Sequence, residues 1–190
     1  MRTFIAIELP QHIKDRLAEL QARLKQSGAD VKWVEPKNIH LTLKFLGETS
    51  DEKLPKIIEA MESVAQNKKR FTARLFCLGA FPKLNFPRVI WVSIDLGDEE
   101  VKKIAQGLEE KMEKIGYLKE ERPFSSHISI GRVRSVLNKE NLIRDLKALE
   151  NYCAKEKLEF DVAGITLLKS TLGSGGPVYE ALKQAKLTTT

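Results

Sequence analysis

Two of the three histidines lie in the same short pattern, in which an apolar residue, a hydroxyl residue and a second apolar residue follow. The two segments are His40-Leu-Thr-Leu and His127-Ile-Ser-Ile. An unperturbed imidazole titrates at about pH 6.5, so one ring of a pair can be neutral while the other is protonated. A neutral ring can take a proton from water, a charged ring can give one to a leaving oxygen, and hydroxyls can hold phosphate oxygens. The pattern therefore suits chemistry at a phosphodiester.

Both patterns have the alternation of a half-buried strand, because successive side chains of a strand point to opposite faces. In the first segment, Leu41, Leu43 and Phe45 are expected to face the core, and His40, Thr42 and Lys44 to face the opposite side. In the second segment, His127 and Ser129 share a face in the same way. Lys44 could extend a positively charged cleft or could simply be solvated.

The second half of the chain repeats the plan of the first. A gapless shift of 87 residues superimposes the two histidine patterns and aligns the strand, helix and linker segments that precede them. This register predicts an internal duplication within one domain, 1–190, with copies at about 2–88 and 89–175. If a pseudo-two-fold axis relates the copies, the two histidine strands meet at one cleft. A further strand, at 178–187, could cross between the two lobes.

Apolar periodicity predicts the elements that position these strands. Strands are expected at 2–8, 40–45, 71–78 and 89–96, and helices at 11–26 and 51–66. Gly47 is expected to end the first histidine strand, and the turn-rich segment 81–87 to separate the two later strands.

Composition narrows the function classes only modestly. The formal charge of +6 favours polyanionic partners, although many basic proteins never bind nucleic acid. The two cysteines, Cys77 and Cys153, are far apart in sequence and suggest neither a disulfide framework nor a thiolate metal site, which fits a reducing cytoplasm. The N-terminal apolar stretch is too short for a signal peptide, and no run approaches the length of a membrane span. A metal site is not expected either, because no carboxylate stands at ligand spacing beside either histidine pattern.

Arg132 is a further candidate for phosphate binding. It follows Ser129 by three residues, so a regular strand would place it on the face opposite His127. Gly131 could permit a bulge that redirects the guanidinium toward a phosphate. The alternative is a surface arginine beside Arg134. The third histidine, His12, lies outside any motif and is expected at the surface.

Several segments resemble the 2H phosphoesterases, specifically the RNA 2′,3′-cyclic phosphodiesterase branch once named 2′-5′ RNA ligase. The segments are 2–7, 40–47, 81–82, 88–91, 127–132 and 170–179. The likeness covers nearly the whole chain. It implies an α+β, bilobal fold in which two pseudo-two-fold-related lobes with antiparallel sheets face a central groove.

The resemblance also implies a reaction and the residues that perform it. RNA 2′,3′-cyclic phosphate ends would be hydrolysed to 2′-phosphates without a metal or other cofactor, with reversible 2′-5′ ligation as an associated activity. His40 would be the general acid and His127 the general base, and Thr42, Ser129 and Arg132 would hold the phosphate. The implied partner is RNA, such as tRNA fragments, bound by a monomer in the cytoplasm and not at a membrane.

Two departures from the family pattern concern the second motif. The family usually has threonine where this chain has Ser129, and commonly proline where it has Ser126. Serine keeps the hydroxyl but loses the methyl group that restricts its rotamer, so phosphate positioning would be looser. Two other functions stay open: a sister 2H activity on another cyclic nucleotide or a 2′-5′ linkage, and a non-catalytic module that binds RNA ends.

Overall fold

Nine strands and five α-helices follow one another along the residues that the computed structural model describes, which are 1–189. The strands are β1 (Arg2–Glu8), β2 (Val31–Trp33), β3 (His40–Glu48), β4 (Phe71–Lys83), β5 (Phe86–Ile94), β6 (His127–Val133), β7 (Glu159–Val162), β8 (Gly164–Gly173) and β9 (Gly176–Lys186). The helices are α1 (Gln11–Lys25), α2 (Leu54–Gln66), α3 (Asp98–Lys114), α4 (Lys139–Ala148) and α5 (Tyr152–Glu156). None of the helices in this range is long and apolar enough to span a membrane.

The strands form two antiparallel sheets, each of which contains one histidine strand. The first sheet has the order β3-β1-β8-β9, and the second has the order β2-β6-β5-β4-β7. The α+β fold with antiparallel sheets that was expected from the sequence is confirmed. The C-terminal strand β9 joins the sheet of β1, so the chain ends in the same sheet in which it begins.

The helices bury their apolar faces against the core face of the sheets. In α1, the predicted stripe of leucine and isoleucine at helical spacing is fully buried and consists of Ile13, Leu17, Leu20 and Leu24. Burial of one such side chain stabilises a fold by about 1.5 to 3 kcal/mol, which holds the helices on the sheets. The opposite faces of the two sheets are thereby left to carry the polar residues of the histidine strands.

A β-bulge interrupts the pairing of β3 with β1. Thr42 lies opposite Ala6 and Lys44 lies opposite Ile5, so Leu43 is an extra residue without a partner in β1. An extra residue reverses the alternation of every side chain that follows it. The face assignments predicted for the second half of this strand are therefore wrong.

Lys44 and Phe45 exchange faces as a result. Lys44 points into the interior, where its side chain is only 2% exposed and its ammonium group donates to Glu109 and to the carbonyl oxygen of Leu118 at 2.9 Å each. Phe45 pairs with Phe4, turns to the face of the histidine and is 62% exposed. The expectation that Lys44 extends the positive cleft is thus corrected, and so is the core position expected for Phe45.

The same bulge recurs in β6. Ser129 lies opposite Trp91 and Gly131 lies opposite Ile90, so Ile130 is the extra residue. Gly131 also meets a close neighbour, because a Cβ at this position would lie 2.9 Å from the ring of Trp33 in β2. The two histidine strands therefore share the bulge at equivalent positions.

Several predicted boundaries shift in the structure. Strand β3 continues through Gly47, which adopts a positive φ of 68° within it, and so does not end there. Most of the segment 81–87 belongs to the β4–β5 hairpin, because paired strands extend on both sides of its two-residue turn. The predicted helix at 51–66 begins with a 3-10 turn, Asp51–Lys53, before α2.

The two sheets do not coincide with the two copies expected from the repeat. The expected boundary between residues 88 and 89 falls inside β5. Strand β4, expected in the first copy, lies in the second sheet, whereas β8 lies in the first sheet. Each sheet therefore combines strands from both halves of the chain, and the internal duplication stays a prediction.

Candidate active site

His40 is the first residue of β3, and the backbone two residues earlier holds its ring. Nδ1 lies 2.7 Å from the carbonyl oxygen of Asn38. Because a carbonyl oxygen only accepts hydrogen bonds, Nδ1 carries the hydrogen, and Nε2 of the neutral ring keeps its lone pair. Nε2 lies 2.9 Å from the hydroxyl oxygen of Thr42. The neutral ring thus accepts a hydrogen bond from Thr42, and the protonated ring would donate one to it.

His127, the first residue of β6, is held in the same way. Its Nδ1 lies 2.7 Å from the carbonyl oxygen of Ser125, again two residues earlier. The same argument assigns the hydrogen of the neutral ring to Nδ1. Both histidines therefore offer Nε2, and not Nδ1, for proton transfer.

The two hydroxyl residues share the faces of their histidines, as the strand alternation predicted. In the second sheet, His127 pairs with Ser93 and Ser129 with Trp91, two positions on the same side of β5. The hydroxyl of Ser129 is half-buried and has no hydrogen-bond partner within residues 1–189, whereas that of Thr42 contacts its histidine. The Ser129 hydroxyl is therefore free to receive a ligand.

Arg132 shares this face because of the bulge at Ile130. It lies opposite Val89, which is two residues from Trp91 and on the same side of β5. The guanidinium thus lies on the side of His127 and is exposed. A bulge was expected at Gly131, and the structure has one at the preceding residue, Ile130.

Contacts between the sheets bring the two histidine faces together. Strand β3 contacts β6, and Arg132 lies near Tyr179 of β9, in the other sheet. Burial raises the pKa of the Tyr179 phenol, and the neighbouring charge of Arg132 partly offsets that rise. We call the space bounded by His40, Thr42, Tyr179, His127, Ser129 and Arg132 the groove.

Aromatic rings surround both histidines, a feature that no sequence pattern had assigned. The ring of His40 lies 4.8 Å from that of Phe4, and the ring of Tyr179 meets it edge-on at 5.3 Å and 85°. The ring of Phe81 meets that of His127 edge-on at 5.1 Å and 87°. All three aromatic residues stand in segments that resemble the 2H phosphoesterases, which was the one available signal for them.

Asn38 is a second residue that the sequence patterns missed. It is buried, and while its carbonyl oxygen accepts from His40, its side-chain amide donates to the carbonyl oxygen of Pro177 at 2.8 Å. Asn38 therefore links His40 to the start of β9, the strand that carries Tyr179. A contact between residues so far apart in sequence has no local signal.

Burial lowers the pKa of His40, which favours the neutral form of its ring. The hydrogen bond to Asn38 and the charge of Glu8 act in the opposite direction, and the charge of Lys14 adds to the lowering. A negatively charged ligand beside Nε2 would raise the pKa, because an opposite charge stabilises the imidazolium.

Other reactive residue types do not gather in the described part of the chain. Within residues 1–189, no group of three histidine, cysteine or carboxylate side chains could hold a metal ion. Cys153 is buried, and Cys77 is partly exposed. His12 is exposed, as expected, and its Nε2 lies 3.3 Å from the carbonyl oxygen of Glu159.

A family model described as LigT-like phosphoesterase matches the chain twice. The matches cover residues 7–91 and 94–179, so they include both histidine patterns. The second match begins 87 residues after the first, the same offset that superimposes the two patterns in the sequence.

Proteins with similar sequences and structures agree with this match. An RNA 2′,3′-cyclic phosphodiesterase of Methanocaldococcus jannaschii is 38% identical over 97% of this chain and 99% of its own length. A protein of the same name from Thermotoga maritima is 32% identical over 98% of this chain and 95% of its own. Among solved structures, TT0787 of Thermus thermophilus has a TM-score of 0.81 and 28% identity over 100% and 99% of the two chains. E. coli LigT complexed with 3′-AMP has a TM-score of 0.77 and 26% identity over 99% and 98%.

Proposed function

Because the chain belongs to the LigT-like phosphoesterase family, we propose that it hydrolyses 2′,3′-cyclic phosphate ends of RNA to 2′-phosphates without a metal ion. The membership confirms the resemblance noted in the sequence. One observation of the structure carries the proposal: both histidines have Nδ1 bound to a carbonyl two residues earlier, which leaves two equivalent Nε2 atoms for proton transfer. The names of the relatives supply the substrate class.

Hydrolysis needs one proton removed and one proton supplied. A water attacks phosphorus while Nε2 of neutral His127 takes its proton, and a phosphorus–oxygen bond to water forms. The bond from phosphorus to the 3′-oxygen breaks, and Nε2 of protonated His40 gives its proton to that oxygen. The product carries a 2′-phosphate and a free 3′-hydroxyl. A 5′-hydroxyl attacking in place of water would give a 2′-5′ linkage through the same two proton transfers.

The family resemblance, and not the pKa of His40, is the reason for giving His40 the acid role. Burial lowers the pKa of His40 and so disfavours the imidazolium that this role requires. The bound cyclic phosphate, an anion beside Nε2, reverses that preference. Proton uptake by His40 is therefore coupled to substrate binding in this proposal.

Three other groups hold the phosphate in the proposed complex. Arg132 brings a fixed positive charge and a fork of donors that match phosphate oxygens. The hydroxyls of Thr42 and Ser129 donate to the non-bridging oxygens from the two sides of the groove. The Ser129 hydroxyl can do so without breaking a hydrogen bond to the described residues, 1–189.

The test is turnover of 2′,3′-cyclic AMP by the purified protein in the presence of EDTA, followed by ³¹P NMR of the product. We expect complete conversion to adenosine 2′-phosphate at the rate measured without EDTA. A rate lost in EDTA and restored by a divalent ion would contradict the metal-free mechanism. Binding of RNA ends without turnover would favour the non-catalytic module instead. The monomeric state, the cytoplasmic location and tRNA fragments as substrate stay predictions.

A further inference from the structure

The groove face of the second sheet continues beyond Arg132 to the tip of the β4–β5 hairpin. Arg132 lies opposite Val89, which lies opposite Phe81. Two rows farther out, Lys83 pairs with Phe86. Arg88 is an extra residue between these rows, so Phe86, three residues before Val89, shares the face of Val89 and Arg132. The two rows are about 7 Å apart along the strands.

Phe86 is an exposed aromatic residue surrounded by positive charge. Its side chain is 55% exposed. The ammonium groups of Lys83 and Lys139 lie 5.2 Å and 4.3 Å from the centre of its ring. Lys32 adds a cation in the row of Arg132. None of these cations makes an ion pair with a carboxylate of residues 1–189.

Room for a ligand lies beside this ring. A pocket of about 460 Å³ is lined by Val136, Asn138, Lys139, Glu140 and Asn141. It combines apolar surface with two side-chain amides. Asn138 Nδ2 donates to the carbonyl oxygen of Gly28 and Asn141 Oδ1 accepts from Arg144, so the other atom of each amide, Asn138 Oδ1 and Asn141 Nδ2, can bind the edge of a base. Lys139 forms part of the pocket and also contacts Phe86, so the pocket adjoins the ring.

The corresponding end of the first sheet is different in charge. The pocket beside Phe45 is lined by three cationic and three anionic side chains, namely Lys53, Lys119, Arg122, Glu48, Glu120 and Glu121. Such a surface has no net attraction for a polyanion. The pocket beside Phe86 has one cation and one anion, Lys139 and Glu140. Lys83 and Lys32 add two cations to this end, which is therefore the better path for a chain of phosphates.

We propose that Phe86, Lys83 and Lys139 form a subsite for the single-stranded RNA that lies 5′ to the cyclic end. A base stacks on Phe86 in place of an ammonium group that lies over its ring, and the two lysines then neutralise neighbouring phosphates. The inference rests on the proposed function, since Arg132 must hold the terminal phosphate for the strand to run outward along these rows. The subsite would make an RNA strand a better substrate than a mononucleotide.

The test compares 2′,3′-cyclic AMP with a single-stranded oligoribonucleotide that ends in the same nucleotide. We expect Phe86→Ala to lower kcat/KM for the oligonucleotide by about 5- to 150-fold, the value of one stacked base. The rate with 2′,3′-cyclic AMP should be unchanged, and Phe86→Trp should restore the oligonucleotide rate. An equal effect on both substrates, or none on the oligonucleotide, would overturn the subsite.

The contribution of the two lysines is tested separately, by the salt dependence of kcat/KM. The double variant Lys83→Gln/Lys139→Gln should reduce the slope of log kcat/KM against log salt by about 1.4 for the oligonucleotide. The matched control is Lys25→Gln/Lys103→Gln, which removes the same charge from exposed positions on α1 and α3 and should leave the slope nearly unchanged. Equal slopes for the two double variants would show a general charge effect and no subsite.

Failure of the proposed function is distinguishable from failure of the subsite. If the wild-type protein hydrolyses neither substrate, the proposed function fails. Fluorescence anisotropy of a labelled oligonucleotide that ends in a 2′-phosphate then tests the subsite alone. The wild-type protein should bind it more tightly than the Phe86→Ala variant, and equal affinities would overturn the subsite.

Discussion

The two histidine strands are alike up to the bulge and differ immediately after it. Each begins with a histidine bound through Nδ1 to the carbonyl two residues before it, continues with a hydroxyl on the same face, and has an extra residue three positions after the histidine. The next two positions are Lys44 and Phe45 in the first strand, but Gly131 and Arg132 in the second. In the proposed mechanism the two proton-transfer atoms are thus equivalent in position, whereas the positive charge that binds the phosphate comes from the second strand alone.

The difference follows from what each bulge exposes. Phe45 turns an apolar ring to the groove side, and the charge before it, Lys44, is directed inward to Glu109. In the second strand, Gly131 packs against the ring of Trp33. The next residue, Arg132, directs its charge outward. Such an asymmetric site suits the proposed substrate, a cyclic phosphate that carries a nucleoside on one side only.

The support of the two histidines also differs. The carbonyl that holds His40 belongs to buried Asn38, which is itself bound to Pro177. The carbonyl that holds His127 belongs to exposed Ser125. His40 is consequently held by a buried residue that is itself hydrogen-bonded, whereas an exposed residue holds His127. Burial also lowers the pKa of His40.

The largest expected effect tests the symmetric part of the comparison. His40→Ala and His127→Ala should each lower the rate with 2′,3′-cyclic AMP by about 10² to 10⁴-fold, because each removes one proton-transfer partner. The double variant should lose less than the product of the two effects, since the residues act as one unit. His12→Ala is the matched control, and near-full activity in either single variant would refute the two-histidine mechanism.

The second prediction tests the asymmetric part at equivalent positions. Arg132→Ala should lower kcat/KM by about 10²-fold, because the groove loses a preorganised positive charge at the phosphate. Phe45→Ala should change the rate with the mononucleotide by no more than about twofold, since an apolar ring holds no phosphate oxygen. Steady-state kinetics on both variants give the answer, and comparable losses would mean that the lobes share phosphate binding.

A third prediction compares the two hydroxyls. Thr42→Val should lower kcat by about tenfold, because it replaces a hydroxyl that contacts Nε2 of His40 with a methyl group of similar shape. Ser129→Thr keeps the hydroxyl and only restricts its rotamer, so the rate should stay within about twofold of wild type. If both substitutions are equally harmful, the hydroxyls do not have the roles assigned to them.

The last prediction concerns stability and not activity, at the buried ion pair between Lys44 of β3 and Glu109 of α3. Glu109→Gln should lower the free energy of unfolding by about 2 to 3 kcal/mol, because the buried ammonium of Lys44 then keeps as its ion-pair partner only Glu120, which lies 3.8 Å away and is 60% exposed. Lys44→Met should cost about 1 kcal/mol, since Glu109 is 23% exposed and can be solvated by water. Urea denaturation measures both, and a larger loss for Lys44→Met would reverse the assignment.

Much of the candidate site could be predicted from the sequence, because a strand period of two places histidine and hydroxyl on one face. The bulges could not, since they depend on pairing with β1 and β5, and one extra residue reversed the faces of Lys44 and Phe45. For the same reason, the sequence alone leaves two positions open for Arg132: a surface arginine on the face opposite His127, and a phosphate-binding residue on the face of His127. Asn38 joins the site through a tertiary contact that no local pattern encodes, and the only sequence signal for Tyr179 is the family resemblance of its segment.

The central claim, that two structurally matched histidines have opposite roles, is tested most directly with a cyclic substrate whose 3′-oxygen is replaced by sulfur. A thiolate leaves without much help from an acid, so this substrate removes the need for proton donation. We predict that it restores the rate of the His40→Ala variant to near that of the wild-type protein and leaves the His127→Ala variant inactive. Rescue of His127→Ala alone would reverse the two roles, and rescue of neither variant would contradict the acid and base mechanism.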